Sequence, residues 1–369
     1  MFLNLFKKSI EEYLELANED FINSEFESAI ENYLKVIEKE PQYDFAYERV
    51  GDSFFALKEF TGAINYYTKA IRLKPNNYSL YEKRGDCYSK KGEFFSSIAD
   101  YQKAIDIDPE IVTLYSKKGD TEFKIEQFED AIKDYEKILE SNPNDYEIYD
   151  KIGSCHTKIG NYPEAIECFR EVLELNGEDI YVYDRIGDAY REMGDFHSAL
   201  QEYEKFVKTK PDVDYIYDKI GDCYQEMNYH KNAIEHYQKA VDISPSKSYI
   251  YDKMGDSYKV LNNYNSAIDS YTKAIELNPD SFYIYDKRGL AYQEIEEYDK
   301  AIVNYTKAIE LNSQDSYAFG KRGFCYHSIG DYDNALLDYD RAIELGSDDK
   351  NIILNIKDCL IKLDEELSK

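Results

Sequence analysis

The sequence predicts an all-α solenoid, an array of helix–turn–helix units laid end to end. Three features of its 369 residues carry that expectation. One glycine recurs every 34 residues without a slip, at Gly51, Gly85, Gly119, Gly153, Gly187, Gly221, Gly255, Gly289 and Gly323, and Ala17 takes the slot one period earlier. A fixed period of this length is the signature of a repeat array. Each period also holds two amphipathic stripes. Tyr251, Met254, Gly255 and Tyr258 fall at i, i+3, i+4 and i+7, and Ala267, Ile268, Tyr271, Ala274 and Ile275 form the second stripe, the spacing of one helix face. Breakers separate the stripes. Gly92, Gly160, Gly194, Gly330, Asn228 and Asn262 stand where a helix C-terminus wants a left-handed residue. Pro75, Pro109, Pro143, Pro211, Pro245 and Pro279 then end the second helix, because the residue before proline avoids the helical region.

Within a unit, the first helix is built around its glycine. Four residues before it stands an aromatic, Tyr13, Tyr47, Tyr81, Tyr115, Tyr149, Tyr183, Tyr217, Tyr251, Tyr285 or Phe319. The second helix carries alanine twelve residues after the glycine (Ser97 is the one substitute) and Tyr or Phe sixteen after it. A glycine in mid-helix costs about 1 kcal/mol relative to alanine, so close approach of two helices must compensate, with the tyrosines filling the remaining space. No unit buries both stripes alone, and stacking on neighbours stabilises each one.

This pattern resembles the tetratricopeptide repeat, W-x2-L-G-x2-Y…A-x3-F…P at a 34-residue period. The resemblance spans roughly residues 10–349, as repeats 10–43, 44–77, 78–111, 112–145, 146–179, 180–213, 214–247, 248–281, 282–315 and 316–349. It implies a right-handed α-solenoid whose first helices line a concave groove and whose second helices form the convex back. The chain departs from the family by having no Trp, and by placing Arg84, Lys118, Arg288 and Arg322 where Leu precedes the glycine. Residues 1–9 form an N-terminal extension in which Phe2, Leu3, Leu5 and Phe6 are expected to cover the first repeat. Residues 350–369 read as a capping helix with Ile353, Ile356, Leu360, Ile361 and Leu363 on its covering face.

Composition excludes several classes. With 45 basic and 74 acidic residues, a net charge of −29, the chain has the wrong sign for nucleic acid. No run of 18 apolar residues spans a membrane, and Met1 to Ser9 is too short and too soon charged for a signal peptide. Cys87, Cys155, Cys223, Cys325 and Cys359 share one small-residue slot, Cys168 stands alone, and no C-x-x-C occurs. Such spacing is not a disulfide framework, and points to reduced thiols in the cytoplasm. No phosphate loop, zinc spacing or nucleophile motif is present, and the five histidines occupy unrelated slots. The sequence therefore predicts no enzyme, no cofactor and no metal site.

Surface is what remains. Three before the glycine come Glu48, Glu82, Asp150, Asp184, Asp218, Asp252 and Asp286; one after it come Asp52, Asp86, Asp120, Asp188, Asp222 and Asp256. These slots are i, i+4 neighbours. Six before the glycine, a tyrosine ladder runs Tyr181, Tyr215, Tyr249, Tyr283 and Tyr317. Tyr181, Asp184, Asp188, Tyr215, Asp218, Asp222, Tyr249, Asp252, Asp256, Tyr283 and Asp286 make the candidate groove. Peptide-carboxylate clamps of the family use basic and Asn residues in the equivalent slots, so the resemblance argues here against acidic tails and for a protein or peptide bearing Lys or Arg. Tyrosine adds cation–π contacts. A second reading stays open, since a base always stands two before the glycine and acids of the adjacent repeat are within its reach. The functional expectation is a non-catalytic interaction scaffold. The alternatives are a homo-oligomer stacking through its terminal repeats and a non-catalytic subunit of an enzyme complex.

Overall fold

The computed structural model describes residues 8–367; Phe2, Leu3, Leu5 and Phe6 lie outside the described residues. The chain divides into two compact units, Met1–Val182 and Tyr183–Lys369. In the first, helices run as pairs: α1 (Ile10–Ile22) with α2 (Phe26–Lys39), α3 (Asp44–Ala56) with α4 (Phe60–Leu73), and α5 (Tyr78–Lys91) with α6 (Phe94–Ile107). Next come α7 (Val112–Lys124) with α8 (Phe128–Ser141) and α9 (Tyr146–Lys158) with α10 (Tyr162–Leu175). In the second they are α11 (Tyr181–Glu192) with α12 (Phe196–Thr209), α13 (Asp214–Glu226) with α14 (His230–Ile243), and α15 (Ser248–Val260) with α16 (Tyr264–Leu277). It closes with α17 (Phe282–Glu294) and α18 (Tyr298–Leu311), α19 (Ser316–Ser328) and α20 (Tyr332–Glu344), and a final helix, α21 (Lys350–Leu367). Among the described residues there is no strand. The fold class is the expected one, tandem helix pairs of a tetratricopeptide-type solenoid.

Boundaries fall where the breakers stand. Gly92, Gly160, Gly194, Gly330, Asn228 and Asn262 all have positive φ, between 57° and 83°. Ser24, Lys58, Glu126 and Glu296 take the same turn position without that ease, at φ 61–64°. Before each proline the backbone leaves the helix, as at Lys74 (φ −129°, ψ 75°) and Ser244 (φ −130°, ψ 82°). Asn312, where serine replaces the proline, adopts the same conformation (φ −137°, ψ 91°).

The core is a column of tyrosines. Tyr33, Tyr67, Tyr135, Tyr203, Tyr237, Tyr271, Tyr305 and Tyr339 are fully buried, beside alanines with no exposed surface. Each except Tyr33, which has Ala17 in that slot, lies against the glycine sixteen residues upstream. A Cβ built on Gly221 would sit 2.4 Å from Tyr237 Cε1, closer than any carbon pair tolerates. That contact is the compensating gain. Ser97, in an alanine slot, buries its hydroxyl by donating to Gly85 O at 2.9 Å.

The last helix corrects one expectation. Ile353, Leu360 and Ile361 are exposed, whereas Ile352 and Cys359 are buried with Tyr339 and Ala342, and Ile356 packs beside them. Counted from Lys357 in the glycine slot, Ile352, Ile356 and Cys359 repeat the slots of Ile216, Ile220 and Cys223. The buried face thus continues the 34-residue register, and α21 docks as one more first helix. The apolar positions outside that register face away.

Candidate functional site

Successive first helices of the C-terminal unit present their carboxylates one turn apart, and the next first helix inserts a lysine between them. Lys219 Nζ lies 2.6 Å from Asp184 Oδ1 and 2.7 Å from Asp188 Oδ2. Lys253 Nζ lies 2.8 Å from Asp218 Oδ1 and 2.9 Å from Asp222 Oδ2. Lys287 Nζ lies 2.8 Å from Asp252 Oδ1 and 2.7 Å from Asp256 Oδ2. The second aspartate of each pair has another duty, accepting from a core tyrosine hydroxyl: Tyr203 to Asp188 at 2.7 Å, Tyr237 to Asp222 and Tyr271 to Asp256 at 2.8 Å. Glycine, tyrosine, aspartate and the neighbour's lysine therefore form one connected device. The N-terminal unit builds it as well, with Lys83 on Glu48 and Asp52, and Lys117 on Glu82 and Asp86.

The charges are partly buried. Burial raises the Asp184, Asp218 and Asp252 carboxyls above the ordinary carboxylate range, with the lysine pulling each back down. For Lys253 burial acts downward, but the hydrogen bonds it donates to Asp218 and Asp222, with their negative charge, outweigh it and the net shift is upward. Each junction keeps two carboxylates to one lysine, a residual negative charge. Tyr249 and Tyr283 are exposed and Tyr215 partly so. Lys219 and Lys253 lie over the Tyr215 and Tyr249 rings at 5.3 and 5.4 Å. Tyr181, also exposed, opens α11, whose first two residues fall before the start of the C-terminal unit at Tyr183.

Asp286 stands apart from the other candidate residues. It is 7 % exposed and its Oδ1 has no hydrogen-bond partner. The lysine one period on, Lys321, lies over the Tyr317 ring instead, at 5.4 Å. Asp286 shares a cavity of about 300 Å³ with Lys259, Tyr283, Lys287, Leu290, Asp315 and Tyr317. Burial, and then the neighbouring Asp315 carboxylate, push its carboxyl up to about 8.

Sequence reasoning missed a second set of polar contacts. Arg84 forks onto Asp100 with both bonds at 2.7 Å and donates to Thr68 at 2.9 Å. Arg322 does the same to Asp338 and Thr306, while Arg288 donates to Asn304 and Thr272 and Lys118 binds Asp134. The signal was there to find. A base one before the glycine always comes with Asp or Asn sixteen residues later, whereas Ile152, Ile220 and Met254 come with Cys168, His236 and Ser270.

No group of three His, Cys, Asp or Glu able to hold a metal ion occurs among the described residues. His236 is stacked on Tyr224 and Tyr217 at 5.3 and 6.2 Å. All six cysteines are free, and desolvation pushes the Cys87, Cys155, Cys223 and Cys325 thiols up to about 12, away from reactive thiolate. No described helix is long and apolar enough to cross a membrane.

Family patterns described as TPR repeat match residues 51–92 and 255–296. Patterns described as tetratricopeptide repeat match 116–180 and 287–350, and 78–111, 180–213 and 215–247. Among solved structures, the C-terminal part of a TPR repeat-containing protein from Cytophaga hutchinsonii is 20 % identical, with a TM-score of 0.59, over 64 % of this chain and 98 % of that one. A structure of Naa15/Naa10 bound to HypK-THB aligns at 13 % identity and TM-score 0.56, over 94 % of this chain and 65 % of that one. A crystal structure of MamA is 31 % identical over 43 % of this chain and 94 % of that one, at TM-score 0.42. No curated protein matches the sequence. Period, helix pairing and family patterns agree, and the chain belongs to the tetratricopeptide-repeat family.

Proposed function

We propose that this protein is a non-catalytic protein–protein interaction scaffold of the cytoplasm. In this reading, residues 10–349 act as one array closed by 350–369. The groove face of the C-terminal unit takes an extended segment rich in Lys or Arg. One observation carries it: two carboxylates face each bridging lysine, beside the exposed rings of Tyr249 and Tyr283. The surplus charge attracts a cation, and the rings offer it a π face. The lysines limit the attraction, because a ligand competes for carboxylates already engaged.

Fluorescence anisotropy with labelled basic, neutral and acidic peptides tests the reading. Basic peptides should bind best and lose affinity as salt rises, since salt screens surface charge. A best ligand that is acidic, or binding indifferent to salt, would sink it. Replacing Asp218, Asp222 and Asp252 together by Asn should weaken a basic peptide about tenfold, in line with ~1–3 kcal/mol from three partly exposed charges.

One observation favours self-association through the C-terminal end as a second reading. Ile353, Leu354, Leu360 and Ile361 are all more than half exposed on α21, an apolar face of the kind that marks interaction sites. Sedimentation of wild type against a variant with Leu354 and Leu360 changed to Gln separates the two. A concentration-dependent oligomer lost in the variant supports stacking, and a monomer in both removes it.

A further inference from the structure

The ladder fails at the junction between α17 and α19, where an acid is left without its lysine, and three residues make it fail together. At the two preceding junctions the lysine meets an aspartate one residue after the glycine, Asp222 or Asp256; here that slot holds Leu290. Lys321 bridges no carboxylate among the described residues and lies on Tyr317. The residue twenty-nine after Asp218 is Lys247, and after Asp252 it is Ser281; after Asp286 it is the acid Asp315. Asp286 therefore has lost a cation and gained an anion. Its Oδ1 is buried and unpartnered, and Asp286 lines a cavity together with Tyr283 and Tyr317, both exposed residues. A buried acceptor without a partner is costly, and two carboxyls beneath two aromatic rings match the needs of one ammonium or guanidinium group.

We propose that this cavity is the pocket in which the scaffold seats one lysine or arginine side chain of its partner, the cation supplied in trans where the three preceding junctions of the unit supply their own. The proposal rests on the groove reading above and names its anchor point. The charged and titratable groups facing Asp286 are Tyr283 and Lys287 of its own helix, Lys259 of α15, Tyr305 of α18, Tyr317 of α19, and Asp315, the N-cap of α19, whose Oδ1 accepts from Ala318 N at 3.1 Å. Lys259 and Lys287 are engaged elsewhere, with Asp256 and with Asp252 and Asp256. The incoming cation makes the ionised form of Asp286 favourable, so binding near neutral pH releases a proton.

The probe is fluorescein-labelled nona-arginine, with a citrulline nonapeptide as its uncharged isostere. Asp286→Asn with Asp315→Asn should weaken nona-arginine about tenfold at physiological salt, while Asp218→Asn with Asp222→Asn, at a junction that keeps Lys253, should weaken it less than threefold. Calorimetry in buffers of different ionisation enthalpy should show about one proton released by wild type at pH 7 and none by the double variant. If only the Asp218 and Asp222 changes matter, the pocket is overturned and the groove reading stands. If nona-arginine binds no better than the citrulline peptide, the groove reading itself has failed. Stability gives an independent check. Asp286→Asn should raise Tm at pH 8, because it removes a buried acid whose Oδ1 has no partner; a fall would show that Lys321 already serves it, and would overturn the proposal.

Discussion

Gly221→Ala tests the core device from which the groove is hung. The added methyl would stand 2.4 Å from Cε1 and 2.5 Å from Cδ1 of Tyr237. The ring cannot swing clear, because its hydroxyl donates to Asp222 at 2.8 Å and lies 2.7 Å from Gln225 Oε1. Overpacking of this kind costs typically 1–3 kcal/mol, against a gain of about 1 kcal/mol from alanine in a helix. The expected balance is a loss of about 1 kcal/mol. Gly289 is the internal control: its Cβ would meet Tyr305 at 3.0 Å, and that hydroxyl has only a 3.3 Å contact with Gln293. There the helical gain should offset the crowding, leaving Gly289→Ala neutral or slightly stabilising. Ala17 over Tyr33 shows that the slot accepts a methyl once the tyrosine bonds Asn18 in place of an aspartate. Because repeat arrays need not unfold in one step, the assay is hydrogen exchange of the α13 and α14 amides alongside the denaturant midpoint. Equal gains for both variants would refute the claim that the clamped tyrosine dictates the glycine.

Four further outcomes follow from the same geometry. Arg322→Met should cost about 3 kcal/mol in denaturation, because it strands the buried Asp338 carboxylate; adding Asp338→Ser, which copies Met254 and Ser270, should restore most of it. Lys58→Gly and Glu126→Gly should each stabilise by about 1 kcal/mol, since both residues hold a positive φ that suits glycine. His236 is held down to about 4 by desolvation, and then by Lys239. Its folded value lies below the unfolded one near 6.5, so the folded state binds fewer protons and stability should fall as pH drops from about 6.5 to 4; His236→Gln should flatten that part of the Tm profile. Removing residues 350–369 uncovers Tyr339 and Ala342, and light scattering should detect association of the truncated protein.

The fold was legible because its causes are local and repeated. One glycine slot, one tyrosine slot and a breaker at each helix end are visible as periodicity, and the structure uses them where they stand. What was not legible is what periodicity cannot rank. Lys58, Glu126 and Glu296 occupy left-handed turns through the pull of neighbouring repeats, against their own preference. In α21, apolar residues occur on two sides of the helix. Only the rule that the 34-residue register continues selects Ile352, Ile356 and Cys359 over Ile353 and Leu360.

The candidate site was half legible, for a reason that bears on function. Rows of Asp and rows of Lys are both plain in the sequence, but a row describes the average repeat, and the average repeat is a staple. Lys219, Lys253 and Lys287 each close the junction behind them, so most of the candidate aspartates spend their charge on stacking neighbours. A ligand gains most where that pairing lapses. Leu290 and Asp315 mark the lapse, and each looks like ordinary variation until Lys321 is seen lying on Tyr317 with Asp286 Oδ1 left unpartnered. In an array whose repeats hold one another by the same ion pairs, the proposed pocket places specificity toward a partner in the repeat that breaks the rule.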